Sequence, residues 1–104
     1  MTNFVLVYTG GGMPESKEER ATVMAAWGAW YEGMGAAIVD GGNPFGASKH
    51  VSESGVGDGP VGSPPATGYT VISADSLDAA VTKVENHPHV KHGGQVSVYE
   101  TFEM

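Results

Sequence analysis

Residues 3 to 8, Asn-Phe-Val-Leu-Val-Tyr, form an extended stretch that is apolar on both parities, with Phe4, Leu6 and Tyr8 on one side and Val5 and Val7 on the other. Side chains of a strand alternate between faces, so this strand needs cover on both. The glycines 10 to 12 end it. A sheet holding such a strand must carry helices on one face and something further on the other.

Pro14 and Ser16 introduce a helix, with Ser16 and Glu19 at capping-box spacing, and it should run to about Met34. At 100° per residue Val23, Met24, Trp27, Trp30, Tyr31 and Met34 share an arc of roughly 120°, the width of a core-facing stripe. Gly35 supplies the stop, and residues 36 to 40, Ala-Ala-Ile-Val-Asp, read as a second strand closed by Gly41-Gly42. Residues 43 to 66 are rich in Gly, Pro and Ser, a long loop in which 48 to 52 can pair with residues near Val56 as a hairpin arm. Residues 67 to 74 make a third strand, with Tyr69 and Val71 on one side and Ile72 and Ala74 on the other. Asp75 or Ser76 then caps a helix bearing Leu77, Ala80, Val81 and Val84, and Pro88 ends it. Alternation from Gln95 to Phe102 gives the last strand. The order βαββαβ predicts an α+β, ferredoxin-like domain: a four-stranded antiparallel sheet with two helices on one face. Its other face is too apolar to be left in water, and a second copy of the chain is the simplest cover.

The chain of 104 residues is of single-domain size, so residues 1–104 are read as one unit. Five Lys and Arg against twelve Asp and Glu give a net charge of -7, which disfavours nucleic acid and anionic membrane surfaces as partners. The absence of cysteine excludes disulfides, a thiolate nucleophile and thiolate metal sites. The first residues lack a basic leader and their apolar run is too short for a span, so mature structure and a cytoplasmic setting are expected.

The segment 24 to 30, Met-Ala-Ala-Trp-Gly-Ala-Trp, the strand Ala37-Ile-Val-Asp40-Gly-Gly, and Asp58-Gly59-Pro60-Val61 ahead of Gly68-Tyr69 resemble, in order and spacing, the YCII-related family, in its branch with a DGPF motif. Residues 74 to 80, Pro88 and the closing run 93 to 100 extend the resemblance over nearly the whole chain. It implies a dimeric α-β barrel. Relatives in that superfamily include monooxygenases, isomerases, dehalogenases and proteins without known catalysis, so fold analogy does not choose a function. Val61 stands where the motif has phenylalanine. Asp40 matches an aspartate suspected of pairing with a histidine on the first helix in some members, but this helix has no histidine.

Among residues that could carry chemistry, Asp40 lies on the parity of Ala36 and Ile38. Its carboxylate either enters the cleft between helix and sheet as a base or caps the turn ahead of two glycines. His50, on the long loop, is a second acid-base candidate. Arg20 either anchors an anionic ligand or lays its stem along the core edge. Trp27, Trp30, Tyr31 and Tyr69 are either core packing or the walls of a ligand pocket, to which His87 is added. His87, His89 and His92 invite a metal reading, but Pro88 breaks their helix and no carboxylate has ligand spacing; a charged histidine at a helix C-terminus accounts for His87. No metal or cofactor is expected, since no phosphate loop, dinucleotide fingerprint, nucleophile elbow or HExxH element occurs.

Three functional classes remain open. The leading one is a YCII-like homodimer that binds a small, partly apolar molecule between helix and sheet. The second is a cofactor-independent isomerase, lyase or monooxygenase using Asp40 or His50. The third is a structural or regulatory module with no pocket.

Overall fold

The computed structural model describes residues 1–11 and 15–103; the expectations placed on Gly12 and Pro14 lie outside them. The elements run β1 (Thr2–Gly10), α1 (Lys17–Met34), β2 (Ile38–Asp40), β3 (Lys49–Ser52), β4 (Gly55–Asp58), β5 (Ala66–Ala74), α2 (Leu77–Val84), α3 (Pro88–Lys91) and β6 (Gly94–Glu100). Four strands form one antiparallel sheet in the order β2-β5-β1-β6, and β3 and β4 pair separately as the hairpin arm. This is the α+β ferredoxin-like arrangement, with β1 central as its double-sided apolar pattern requires.

Both main helices start where side-chain acceptors appear. Ser16 Oγ accepts from the Glu19 amide, and Ser76 Oγ from the Ala79 amide. The Glu19 carboxylate reaches back to the amide of Glu15 rather than that of Ser16, so the capping box is displaced by one residue. α1 ends at Gly35, whose φ of 51° is open to glycine and costly for other residues.

Phe4, Leu6, Tyr8, Ile72, Ala74, Ala80 and Val84 make the buried core. Val5, Val7 and Val71, on the other parity, are only half-buried, and Tyr99 beside Val5 is exposed. A single chain therefore covers one side of β1, not the two that its composition calls for.

β1 and β5 are slightly longer than the sequence reading, and three other boundaries differ from it. Ala36 and Ala37 belong to a 3-10 turn, Gly35–Ala37, that leaves β2 three residues long. α2 stops at Val84, before Pro88, which opens α3 instead; proline suits a first helical position, where its missing N–H would be unpaired anyway. The last strand ends at Glu100 rather than Phe102.

Candidate functional site

None of the α1 side chains is fully buried. Val23, Trp27 and Tyr31 are half-buried and Met24 is exposed, because this part of the stripe faces a groove of about 450 Å³, while Trp30 and Met34 pack against the core as the periodicity predicts. The opposing wall comes from Tyr8, the turn 41 to 44, Gly68 and His89. Trp27 meets the ring of Tyr8 edge-on at 5.1 Å between centroids.

Behind this wall lies a directed hydrogen-bond chain. The His89 backbone N–H donates to His87 Nδ1 at 2.9 Å, so Nδ1 carries no proton and Nε2 does. Nε2–H then donates to Tyr8 Oη, 3.2 Å away. Tyr8 donates to Thr70 Oγ1 at 2.7 Å, and Thr70 to the Gly41 carbonyl at 3.1 Å. Tyr31 Oη donates to the same carbonyl at 3.0 Å. Every link is satisfied, as burial of so many polar groups demands.

His87 is fully buried, with the rings of Trp27 and Trp30 each 4.4 Å from its own. Burial, and then the neighbouring His89, pull its imidazole down to about 4, so it is neutral. It caps the N-terminus of α3, which replaces the expected charged histidine at a helix C-terminus. Burial likewise drives the Tyr8 phenol well above its usual range, with the bond to Thr70 opposing and Tyr31 adding, so Tyr8 keeps its proton.

His89 does line the groove. Its Nε2 lies 2.8 Å from the Thr9 carbonyl, which can only accept, so Nε2 carries a proton and in the neutral ring Nδ1 holds the lone pair. The ring fits because position 94 is glycine: a Cβ there would collide with it.

The other expected site residues are dispersed. Trp27 and Tyr31 stand in the groove. Tyr69 borders it, but its ring alternates with Thr70 and leaves for the open sheet face, stacking on Phe45 and donating to Asp40. Trp30 turns away and donates to the Lys83 carbonyl. Arg20 is exposed in the first turn of α1 and does not border the groove. His50 sits on the hairpin arm against the Gly59 carbonyl.

Asp40 is also outside. A bulge between Ile38 and Asp40 sets Asp40 opposite Val71 where unbroken pairing would set it opposite Thr70, moving it to the open-face parity. There its carboxylate accepts from the Gly42 amide at 2.9 Å, the turn geometry. Gly42 itself, at φ 75°, lies so close to the Tyr69 carbonyl that no Cβ could be placed.

Tyr8, Thr70 and His89 are the residues that sequence reasoning did not assign to the site. The available signal was polarity on a buried parity: Tyr8 follows Phe4 and Leu6, and Thr70 precedes Ile72 and Ala74. No group of three or more His, Asp or Glu that could hold a metal occurs among the described residues, and none of their helices is long and apolar enough to cross a membrane.

No family model matches the chain, and no curated protein does. Among solved structures it is similar to 5-chloro-2-hydroxyhydroquinone dehydrochlorinase (TftG) from Burkholderia phenoliruptrix AC1100, in complex with 2,5-dihydroxybenzoquinone. The two are 24% identical, with 97% of this chain and 93% of that one covered and a TM-score of 0.54, and what the likeness establishes is the shared α+β ferredoxin-like fold.

Proposed function

We propose that this protein binds a small, planar, largely apolar molecule in the groove between α1 and the sheet, acting as a homodimer of the YCII-related type. The observation that carries this reading is the half-buried aromatic stripe of α1. A helix laid down only to complete a core would bury Trp27 and Tyr31, whereas here they wall a groove whose volume lies in the ligand-pocket range and which has no Lys, Arg, Asp or Glu in its lining. A purely structural module would not need that opening. The neighbour's complex with 2,5-dihydroxybenzoquinone supports a flat cyclic ligand for this fold.

The direct test is a thermal-shift screen of small aromatic and alicyclic molecules on the wild-type protein and Trp27→Leu. The expected outcome is a hit that raises the midpoint for wild type and loses most of its effect in Trp27→Leu. Equal shifts in both proteins would place the ligand elsewhere and end this reading.

A second reading, a cofactor-independent enzyme, is favoured by one observation, the buried Tyr8–His87 chain behind the groove. Its acid-base groups would then be Tyr8 and His89 rather than Asp40 and His50, neither of which reaches the groove. Turnover of a hit compound that is lost in His89→Gln while binding persists would select it.

A further inference from the structure

The protons of the groove's polar residues are committed in a way that specifies the ligand. Tyr31 Oη has two acceptors within reach, the Gly41 carbonyl at 3.0 Å and Thr70 Oγ1 at 3.3 Å. Whichever it uses, its hydrogen points into the protein and its oxygen offers lone pairs. His89 spends Nε2–H on the Thr9 carbonyl, and Nδ1 has no partner among the described residues. Tyr8 spends its proton on Thr70. With His89 neutral, these three lining residues can only accept from a bound molecule. The lining side-chain donors without partners among the described residues are the Trp27 indole N–H and the Asn43 amide, the latter on an exposed residue at the rim.

An acceptor left unpaired under an apolar ligand loses its water without compensation. A hydroxyl both gives and receives and so satisfies both kinds of group, while an ether or a ketone satisfies the donors alone. A carboxylate gives nothing, meets no lysine or arginine in the lining, and enters a chain of net charge -7.

We propose that the groove selects uncharged aromatic molecules bearing a hydroxyl group, phenols being the simplest class, and that Tyr31 Oη is the acceptor that reads the hydroxyl. This selectivity rests on the groove being the ligand site, and the two claims fail differently. The chain has two tryptophans, of which Trp27 lines the groove while Trp30 is held on the Lys83 carbonyl, so their indole N–H resonances in ¹⁵N-labelled protein report position.

The experiment titrates 4-methylphenol, 4-methylanisole and 4-methylbenzoate into that protein. Expected is a saturable shift of the Trp27 resonance with the phenol, at an affinity at least about tenfold above that of the anisole, and no shift with the benzoate. Tyr31→Phe, which keeps the ring and removes the oxygen, should bring the phenol close to the anisole. An anisole that moves Trp27 at the same concentration as the phenol would overturn the hydroxyl rule and leave the groove standing. Silence of Trp27 with all three would remove the groove reading itself. Should Tyr31→Phe not fold, the wild-type ratio decides alone.

Discussion

At His87, burial and protonation are opposed. An unfolded histidine titrates near 6.5, whereas this one is held at about 4 among Trp27, Trp30 and Tyr8. Between those values the unfolded chain takes up a proton that the folded chain refuses. Stability from this residue is thus complete above about pH 6.5 and drains away as the pH falls toward 4, by roughly 3 kcal/mol in all. Denaturant unfolding across that range should show the slope. His87→Asn, which keeps a capping oxygen for the His89 amide, should flatten it while lowering neutral-pH stability by about 2–3 kcal/mol through lost packing. An unchanged slope would assign the acid sensitivity to other groups. At Gly94 an alanine would push the His89 ring off the Thr9 carbonyl; Gly94→Ala is expected to destabilise by about 1–3 kcal/mol and to abolish any ligand response, checked by paired melting and titration. Asp40→Asn, by contrast, should lower stability by less than about 1 kcal/mol and leave ligand response intact, since the carboxylate serves the Gly42 turn.

Among the elements, α1 and the buried parity of β1 have similar apolar content and different duties. Leu6 is fully enclosed, and Leu6→Ala should cost about 2–5 kcal/mol. Met24 is mostly exposed at the groove, so Met24→Ala should cost under about 1 kcal/mol yet change ligand affinity, a contrast that one set of denaturation curves and titrations can show. This division explains what was legible in the sequence. The six-residue stripe of α1, the Ser16 cap, a second cap at Asp75 or Ser76 that the structure gives to Ser76, the hairpin arm and the βαββαβ order follow from local periodicity and turn chemistry, and all appear. Periodicity gives a face, however, and not its neighbour: it could not show that one stripe would pack on the core through Trp30 and Met34 and wall a groove through Val23, Met24, Trp27 and Tyr31. Nor could it anticipate the bulge that sends Asp40 to the other face, because a bulge depends on the partner strand. The burial of His87 was equally hidden, since it arises from three rings brought together from residues 8, 27 and 30.

The described molecule as a whole is a slab of 44 × 41 × 18 Å with a radius of gyration of 15.0 Å, against about 13 Å for a compact chain of this length. The excess comes with an uncovered sheet face and a projecting arm. A two-fold partner on the face of Val5, Val7 and Val71 would thicken the slab and bury, for a stable pair, about 800 Å² per copy. Light scattering at micromolar concentration should give a dimer mass, and Val7→Asp a monomer that melts earlier; a monomer mass for the wild type would refute the pairing.

The arm carries a separate consequence. β3 and β4 share their ladder with each other and not with the four-stranded sheet, and two strands alone hold together only marginally in water. Amide deuteration should therefore run on two clocks, with Lys49–Ser52 and Gly55–Asp58 exchanging early and β1 and β5 late. Any molecule or second subunit that settles against the arm would announce itself by slowing the first clock while leaving the second untouched.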